Sequence, residues 1–544
     1  MWAPPWQVRK VQHGPVTVQM YSTVFALQGT GMSSEDNKAA GGETSPVGGR
    51  AVGLARQLGL FDATMIVMGG IVGVGIFMNP YVVAQRVGTP AMILAAWTAG
   101  GAIALAGAFI YAELAARMPA VGGQYAYLRE AYHPGVAFLY GWVLLLVIQT
   151  GGMAAVAVTF ARYFLELARV PAGSATYDGL VAALALAALT LVNCLGVKTG
   201  SAVQSALMVM KIAIIAMLVL CGGLLVRGTL GFSALAHRWL DRPVSFGLFT
   251  AFGAAMVPVL FAYGGWQTSN FVAGEVRDPR RNMPRALVVG VLVVILLYLS
   301  VNYVCVRAFG PDGLAHATAP ASAVMQLALG DRGAALIAAG IAVSALGFLS
   351  QAILTAPRVY FAMADDGLFF KSVARINPRT RVPVVAIVLQ GVWAIVVALS
   401  GRYDQILNYV VSMDFIFMGL SATCLFVFRR RERAGTSDCR LSIADLKTRD
   451  SDARTPTLTP QEIGRSEESQ SSIVPAGRGQ SSISYRVPGH PFTTLFFVAA
   501  CWLVVANAIY RYPSNTLIGV AILAAGVPMY FFWRRRLKGV GSRE

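Results

Sequence analysis

The feature that most constrains this chain is a succession of apolar stretches, each about 20 residues long and so able to cross a bilayer as a helix. In hydrocarbon an unpaired N–H or C=O costs several kcal/mol, so a crossing segment must close its own hydrogen bonds. Read along the chain, the stretches give twelve spans: 62–83, 91–116, 136–164, 179–196, 202–226, 247–273, 286–309, 333–357, 383–400, 404–428, 491–510 and 514–533. Composition agrees, because the 544 residues are 56% hydrophobic and only 13% charged, where a soluble domain carries about 25% charge. The expected fold class is an all-α polytopic membrane protein.

Two of these spans are interrupted. The first reads MIVMGGIVGVGIFMNP, with Gly69, Gly70, Gly73 and Gly75 inside it. The sixth, VPVLFAYGGWQTSNFVAGE, carries Gly264 and Gly265 at a corresponding depth. Close packing between helices also favours small residues and would account for either set of glycines alone. Helix breakers at matching places in two halves point instead to backbone left open for a ligand, the mark of an alternating-access transporter. Unwinding at Gly73, Val74 and Gly75 exposes N–H groups at the positive end of a half-helix, which suits a carboxylate. Carbonyls from Phe261 to Gly264 suit an ammonium group, with the aromatic rings of Phe261, Tyr263 and Trp266 beside them. Donors on one side and acceptors on the other match the polarity of a zwitterionic α-amino acid.

Ionisable residues within spans cost about 2.5–3.5 kcal/mol on insertion scales, so each calls for a reason. Lys211 lies about three turns into span 5, too deep for its ammonium to reach the interface easily. It serves either as a structural cation or in proton coupling. Asp414, in VSMDFIFMGL of span 10, either faces the pocket and tunes substrate choice or caps a neighbouring helix. Glu113 stands about one turn from the end of span 2 and reads as a structural helix-end residue. Glu275, directly after span 6, fits a cytoplasmic gate or an ion pair with the nearby arginines.

Other chemistries find no support. The net charge of +18 arises from Lys and Arg at span ends and in alternate loops, a pattern that sets membrane orientation and argues against nucleic-acid binding. It places both termini in the cytoplasm of a cell with this protein in its inner (plasma) membrane. Five of the six cysteines lie in or beside apolar spans, and no CxxC spacing or paired histidines suggest a metal. No phosphate-binding loop precedes a helix and no catalytic triad is evident, so neither a cofactor nor an enzyme is expected. Residues 1–55 read as a disordered cytoplasmic tail, 56–430 as the core, 431–490 as a polar cytoplasmic loop, 491–534 as two accessory spans and 535–544 as a basic tail.

The segments GGIVGVGIFMNP, YAELAARMPAVGGQYAYLREAY, FAYGGWQTSNFVAGEVRDPRRNMPRAL, PRVYFAMADDGLFFKSVARINPRTRVPVVAI and YRVPGHPFTTLF together resemble the amino acid–polyamine–organocation superfamily. The branch most resembled is that of bacterial relatives of the L-type amino acid transporters. The resemblance implies twelve helices in a LeuT-type five-plus-five inverted repeat (62–226 and 247–428) with broken helices 1 and 6 and two accessory helices. It implies that Gly73, Val74 and Gly75 hold the substrate carboxylate and that carbonyls of Phe261, Ala262 and Gly264 receive its amino group. Phe261 matches the aromatic gate. Lys211 matches the lysine that replaces a sodium ion in sodium-independent members, with Ser344 beside it. Val74 departs from the Ser common between the two glycines. The activity expected is sodium-independent transport of an L-amino acid by proton symport or exchange, with the apolar lining and Val74 leaning towards a neutral, hydrophobic or small substrate. Asp414 leaves a cationic amino acid or polyamine antiporter open, and a transport-inactive amino acid sensor is the rival of another class.

Overall fold

A computed structural model describes residues 54–170, 175–226, 246–400, 403–433, 485–511 and 513–541. The expected 1–55 tail and the 431–490 loop fall almost wholly outside the described residues, as does the end of the basic tail. Within the described residues the only pairing of extended type is a bridge between Leu58 and Val276.

The helices are α1 (Leu60–Ile71), α2 (Gly75–Val87), α3 (Pro90–Arg117), α4 (Gln124–Ala131), α5 (Pro134–Val143), α6 (Gln149–Leu167), α7 (Ala175–Cys194), α8 (Val197–Leu224) and α9 (Phe246–Ala262). They continue with α10 (Pro279–His316), α11 (Pro320–Leu329), α12 (Asp331–Thr355), α13 (Pro357–Asp365), α14 (Val384–Leu399), α15 (Tyr403–Arg433), α16 (Phe492–Arg511) and α17 (Pro513–Gly541). Proline opens several of them, at a position where no N–H is needed and φ is already helical. At α3 Thr89 completes the cap by accepting from the Met92 N–H at 3.4 Å. A π-turn over Leu144–Ile148 joins α5 to α6, so 134–167 form one long crossing.

Ten described helices are long and apolar enough to cross a membrane, and α1 with α2, bent by 42°, supply an eleventh. The chain is therefore a multi-pass membrane protein. The expected ninth span, 383–400, is a helix of only 16 residues, α14. Span 7 also deviates: α10 kinks at Gly310, whose φ is 67°, before Pro311.

The core is a bundle in which α1 packs on α8 and α10, α3 packs on α10, and α12 packs on α6 and α8. At one end, rich in arginine, three carboxylates tie further segments together. Glu275 and Arg358, both wholly buried, form a two-point ion pair at 2.6 and 3.1 Å. Glu113 binds Arg117 and Arg429, and also accepts the Val487 N–H at 2.6 Å. Asp366 pairs with Arg129 and accepts from Tyr125. The Leu58–Val276 bridge lies at the same end, where the Glu275 carbonyl accepts the N–H groups of Gln57 and Leu58. The partner of Glu275 is thus Arg358, 83 residues away, rather than an arginine of the adjacent run.

Candidate functional site

The α-helical winding of span 1 stops after Ile71. Val72 has an extended ψ of 96°, its N–H making the last helical bond, to the Met68 carbonyl at 2.8 Å, and helix resumes only at Gly75. The carbonyls left over at the end of α1 are engaged from behind. The Lys211 ammonium of α8 donates to the Val72 carbonyl and, at 3.5 Å, to that of Gly69. Ser344 of α12 donates to the Gly73 carbonyl at 3.0 Å. The Tyr298 hydroxyl of α10 reaches the Ile71 carbonyl at 3.0 Å and that of Ala262 at 3.2 Å. A cation and two hydroxyls thus complement the negative end of α1.

The donors at the break are treated differently. At the start of α2 the Phe77 N–H bonds back to the Val74 carbonyl at 3.1 Å, whereas the N–H groups of Gly73 and Val74 make no hydrogen bond to the described residues. They open on a cavity of about 130 Å³. Span 3 lines it from Tyr140 to Val156, a length of about 24 Å at helical rise. The opposite wall is the second break: α9 ends at Ala262, Gly265 turns with φ of 100°, and residues Trp266–Glu275 wind as a 3₁₀-helix. Span 6 therefore changes winding at the break, where span 1 resumes as α-helix.

Gly73, Val74, Gly75, Phe261, Ala262, Gly264 and Asp414 all line this cavity. Lys211 and Ser344 do not; they stand behind the span 1 break, holding its carbonyls. Phe261 is 45% exposed and sits in α9, across the break from Glu275. Its carbonyl accepts the Gly264 N–H at 3.2 Å, and the Gly264 carbonyl accepts nothing from the described residues. Gln267 accepts the Gly265 N–H at 2.9 Å and donates to Asp414 at 3.2 Å.

Close approach of the two breaks, at Gly70 and Gly265, forms part of the cavity wall. A Cβ on Gly265 would stand 2.1 Å from the Gly70 carbonyl oxygen, and one on Gly70 2.6 Å from that of Gly265. Beside them Gln351 donates to Thr268 at 2.8 Å, and the Thr268 hydroxyl donates to the Gly265 carbonyl. Main chain meets main chain here, while Gln351 and Thr268 beyond the contact still line the cavity. Such an arrangement can hold a small zwitterion.

The wider chain tells the same story. Residues 58–445 match the model of a family described as amino acid permease. This chain belongs to that family. The permease is 27% identical over 491 residues to the serine/threonine exchanger SteT of Bacillus subtilis (strain 168), covering 89% of this chain and 98% of that protein. It is 30% identical over 409 residues to the large neutral amino acids transporter small subunit 2 of Homo sapiens, covering 73% of this chain and 75% of the other. The b(0,+)-type amino acid transporter 1 of Mus musculus is 29% identical over 391 residues, at 70% and 77% coverage. The permease thus belongs to the amino acid–polyamine–organocation superfamily, whose members here are transporters rather than enzymes.

Several lining groups of the permease were not marked out by sequence pattern. Gln124 sits on α4, a helix in what reads as the loop between spans 2 and 3. Its side chain accepts from Tyr140 at 2.8 Å and donates to Tyr111 at 3.0 Å. Gln149 and Gln351 also face the cavity. The available signal was an uncharged amide inside an otherwise apolar run, which costs energy in lipid unless it finds a partner. Tyr298, within LVVILLYLSVNY, gave no more than that.

Proposed function

We propose that the chain is a sodium-independent permease that carries an L-amino acid across the plasma (inner) membrane by alternating access, as a proton symporter or an exchanger. The observation that carries this reading is the asymmetry at the span 1 break. Its carbonyls are held from behind by Lys211, Tyr298 and Ser344, while its N–H groups face the cavity. A carboxylate fits those donors, and an amino group fits the Gly264 carbonyl across from them.

The Lys211 ammonium occupies carbonyls that a sodium ion would otherwise bridge, which supports sodium independence. Lys211 also supplies a group able to exchange a proton with substrate movement. The direction of access depends on which end is sealed. Ion pairs close the arginine-rich end, while Phe261, across the break from Glu275, is exposed. With the basic end and both termini cytoplasmic, this is an outward-facing state, with Phe261 as the outer gate. Twelve spans in a five-plus-five inverted repeat complete the reading, α14 serving as the ninth despite its length.

Counterflow in proteoliposomes tests it. Liposomes preloaded with amino acid should accumulate labelled amino acid equally well in sodium and in choline buffer. Dependence on sodium would overturn the ion assignment. A sensor would bind amino acid and show no flux, and putrescine exchange without amino acid exchange would point to an amine antiporter.

A further inference from the structure

We propose that Asp414 receives a cationic group at the tip of the substrate side chain, so that the carried amino acid is a basic one of lysine type. This rests on the cavity being an amino acid site and goes further by assigning the side-chain class.

Asp414 is the only acidic or basic side chain among the described residues that line the cavity. No Lys or Arg of the described residues pairs with it. The two buried cations nearest in role are already engaged: Lys211 with the Val72 and Gly69 carbonyls, and Arg358 with Glu275. The Asp414 carboxylate receives one hydrogen bond, from Gln267 Nε2 to Oδ2 at 3.2 Å, and Oδ1 receives none from the described residues. A carboxylate withdrawn from bulk water without a counter-charge is costly, and a ligand cation removes that cost.

Gln267 acts as a neutral stand-in. Its Oε1 is held by the Gly265 N–H at 2.9 Å, which aims Nε2 at Asp414. An ammonium or guanidinium at Oδ1 adds a charge-assisted hydrogen bond beside the one already present. Apolar lining of the same cavity suits the rest of such a side chain. Leu144, Ile148 and Phe415 are apolar and line the same cavity, and a lysine stem of methylenes buries well against such surface while its tip seeks a polar partner.

Lysine and norleucine share that stem and differ in the terminal ammonium, so they isolate the contact. With the full chain in proteoliposomes, labelled lysine should saturate counterflow at a concentration at least about 10-fold below norleucine, because a site built for a polar group rejects the analogue lacking it. Asp414→Asn should bring that ratio close to one. Norleucine matching or exceeding lysine in the unmodified protein overturns the proposal without any variant having to fold. An unchanged ratio in Asp414→Asn overturns it as well. Putrescine carries the ammonium and lacks the carboxylate, and its exchange in place of lysine would overturn the amino acid part of the assignment. Exchange of norleucine alone would leave the permease reading standing and this inference refuted, whereas exchange of no amino acid would refute both.

Discussion

The two mid-span breaks use the same residue for different ends. In span 1 the two glycines at the break give distance: a Cβ on Gly73 would meet nothing nearer than Phe348 at 3.8 Å, and one on Gly75 nothing nearer than 3.4 Å. In span 6 Gly265 gives contact, with a left-handed φ of 100° and a hypothetical Cβ 2.1 Å from the Gly70 oxygen. The first break is an open row of donors backed by side chains from α8, α10 and α12. The second is a joint, where one main chain rests on another. Glycine count in a span therefore says little; what each missing side chain would have struck says which break binds and which one joins.

That contrast can be broken most sharply at the joint. Gly265→Ala should lose both flux and thermal stability, since the substitution combines strain at positive φ, on the order of 1–3 kcal/mol, with a clash against backbone. A wild-type melting temperature and wild-type counterflow in that variant would refute the role as a joint. Next in size is the open row. Gly73→Leu should abolish substrate-induced thermal stabilisation while the protein still inserts, because its side chain fills the cavity. Gly73→Ala should bind nearly normally, having room for one methyl group; equal damage from both would mean that the row is packed after all.

Lys211→Ala should cut counterflow strongly and lower the melting temperature. It leaves two buried carbonyls without a donor, at about 1–3 kcal/mol for each unsatisfied group. Unchanged flux with unchanged pH dependence would remove Lys211 from any coupling role. The smallest effect is expected from Tyr298→Phe. Loss of one hydroxyl shared between the Ile71 and Ala262 carbonyls should cost on the order of 1 kcal/mol and be visible as a modest fall in melting temperature. A fall as large as that of Gly265→Ala would move the joint between the breaks to Tyr298.

Membrane character and the breaks at Gly73 and Gly264 were legible in the sequence because the bilayer forbids what they display. An apolar run must be helical, and a broken one must have a reason. Lys211 and Asp414 stood out for the same cause, as charges where charge is expensive. What the sequence did not disclose was partnership. Glu275 sits beside a run of arginines yet binds Arg358, and Gln124 enters the cavity from a helix hidden in a loop. Such choices depend on which helices meet, which no local pattern encodes. The 3₁₀ winding of residues 266–275 was equally hidden, since glycines mark where an α-helix stops and carry no information on the winding beyond them.

Glu113 has a practical consequence. One carboxylate grips Arg429 near the end of α15 and the Val487 amide shortly before α16, so the described residues on either side of 434–484 are anchored at a single point. Added length between two fixed ends costs only about 0.6 kcal/mol per doubling when the insert is flexible. Residues 434–484 are therefore a natural port for a fluorescent reporter or an affinity handle, and a permease so tagged should still load and release its cargo.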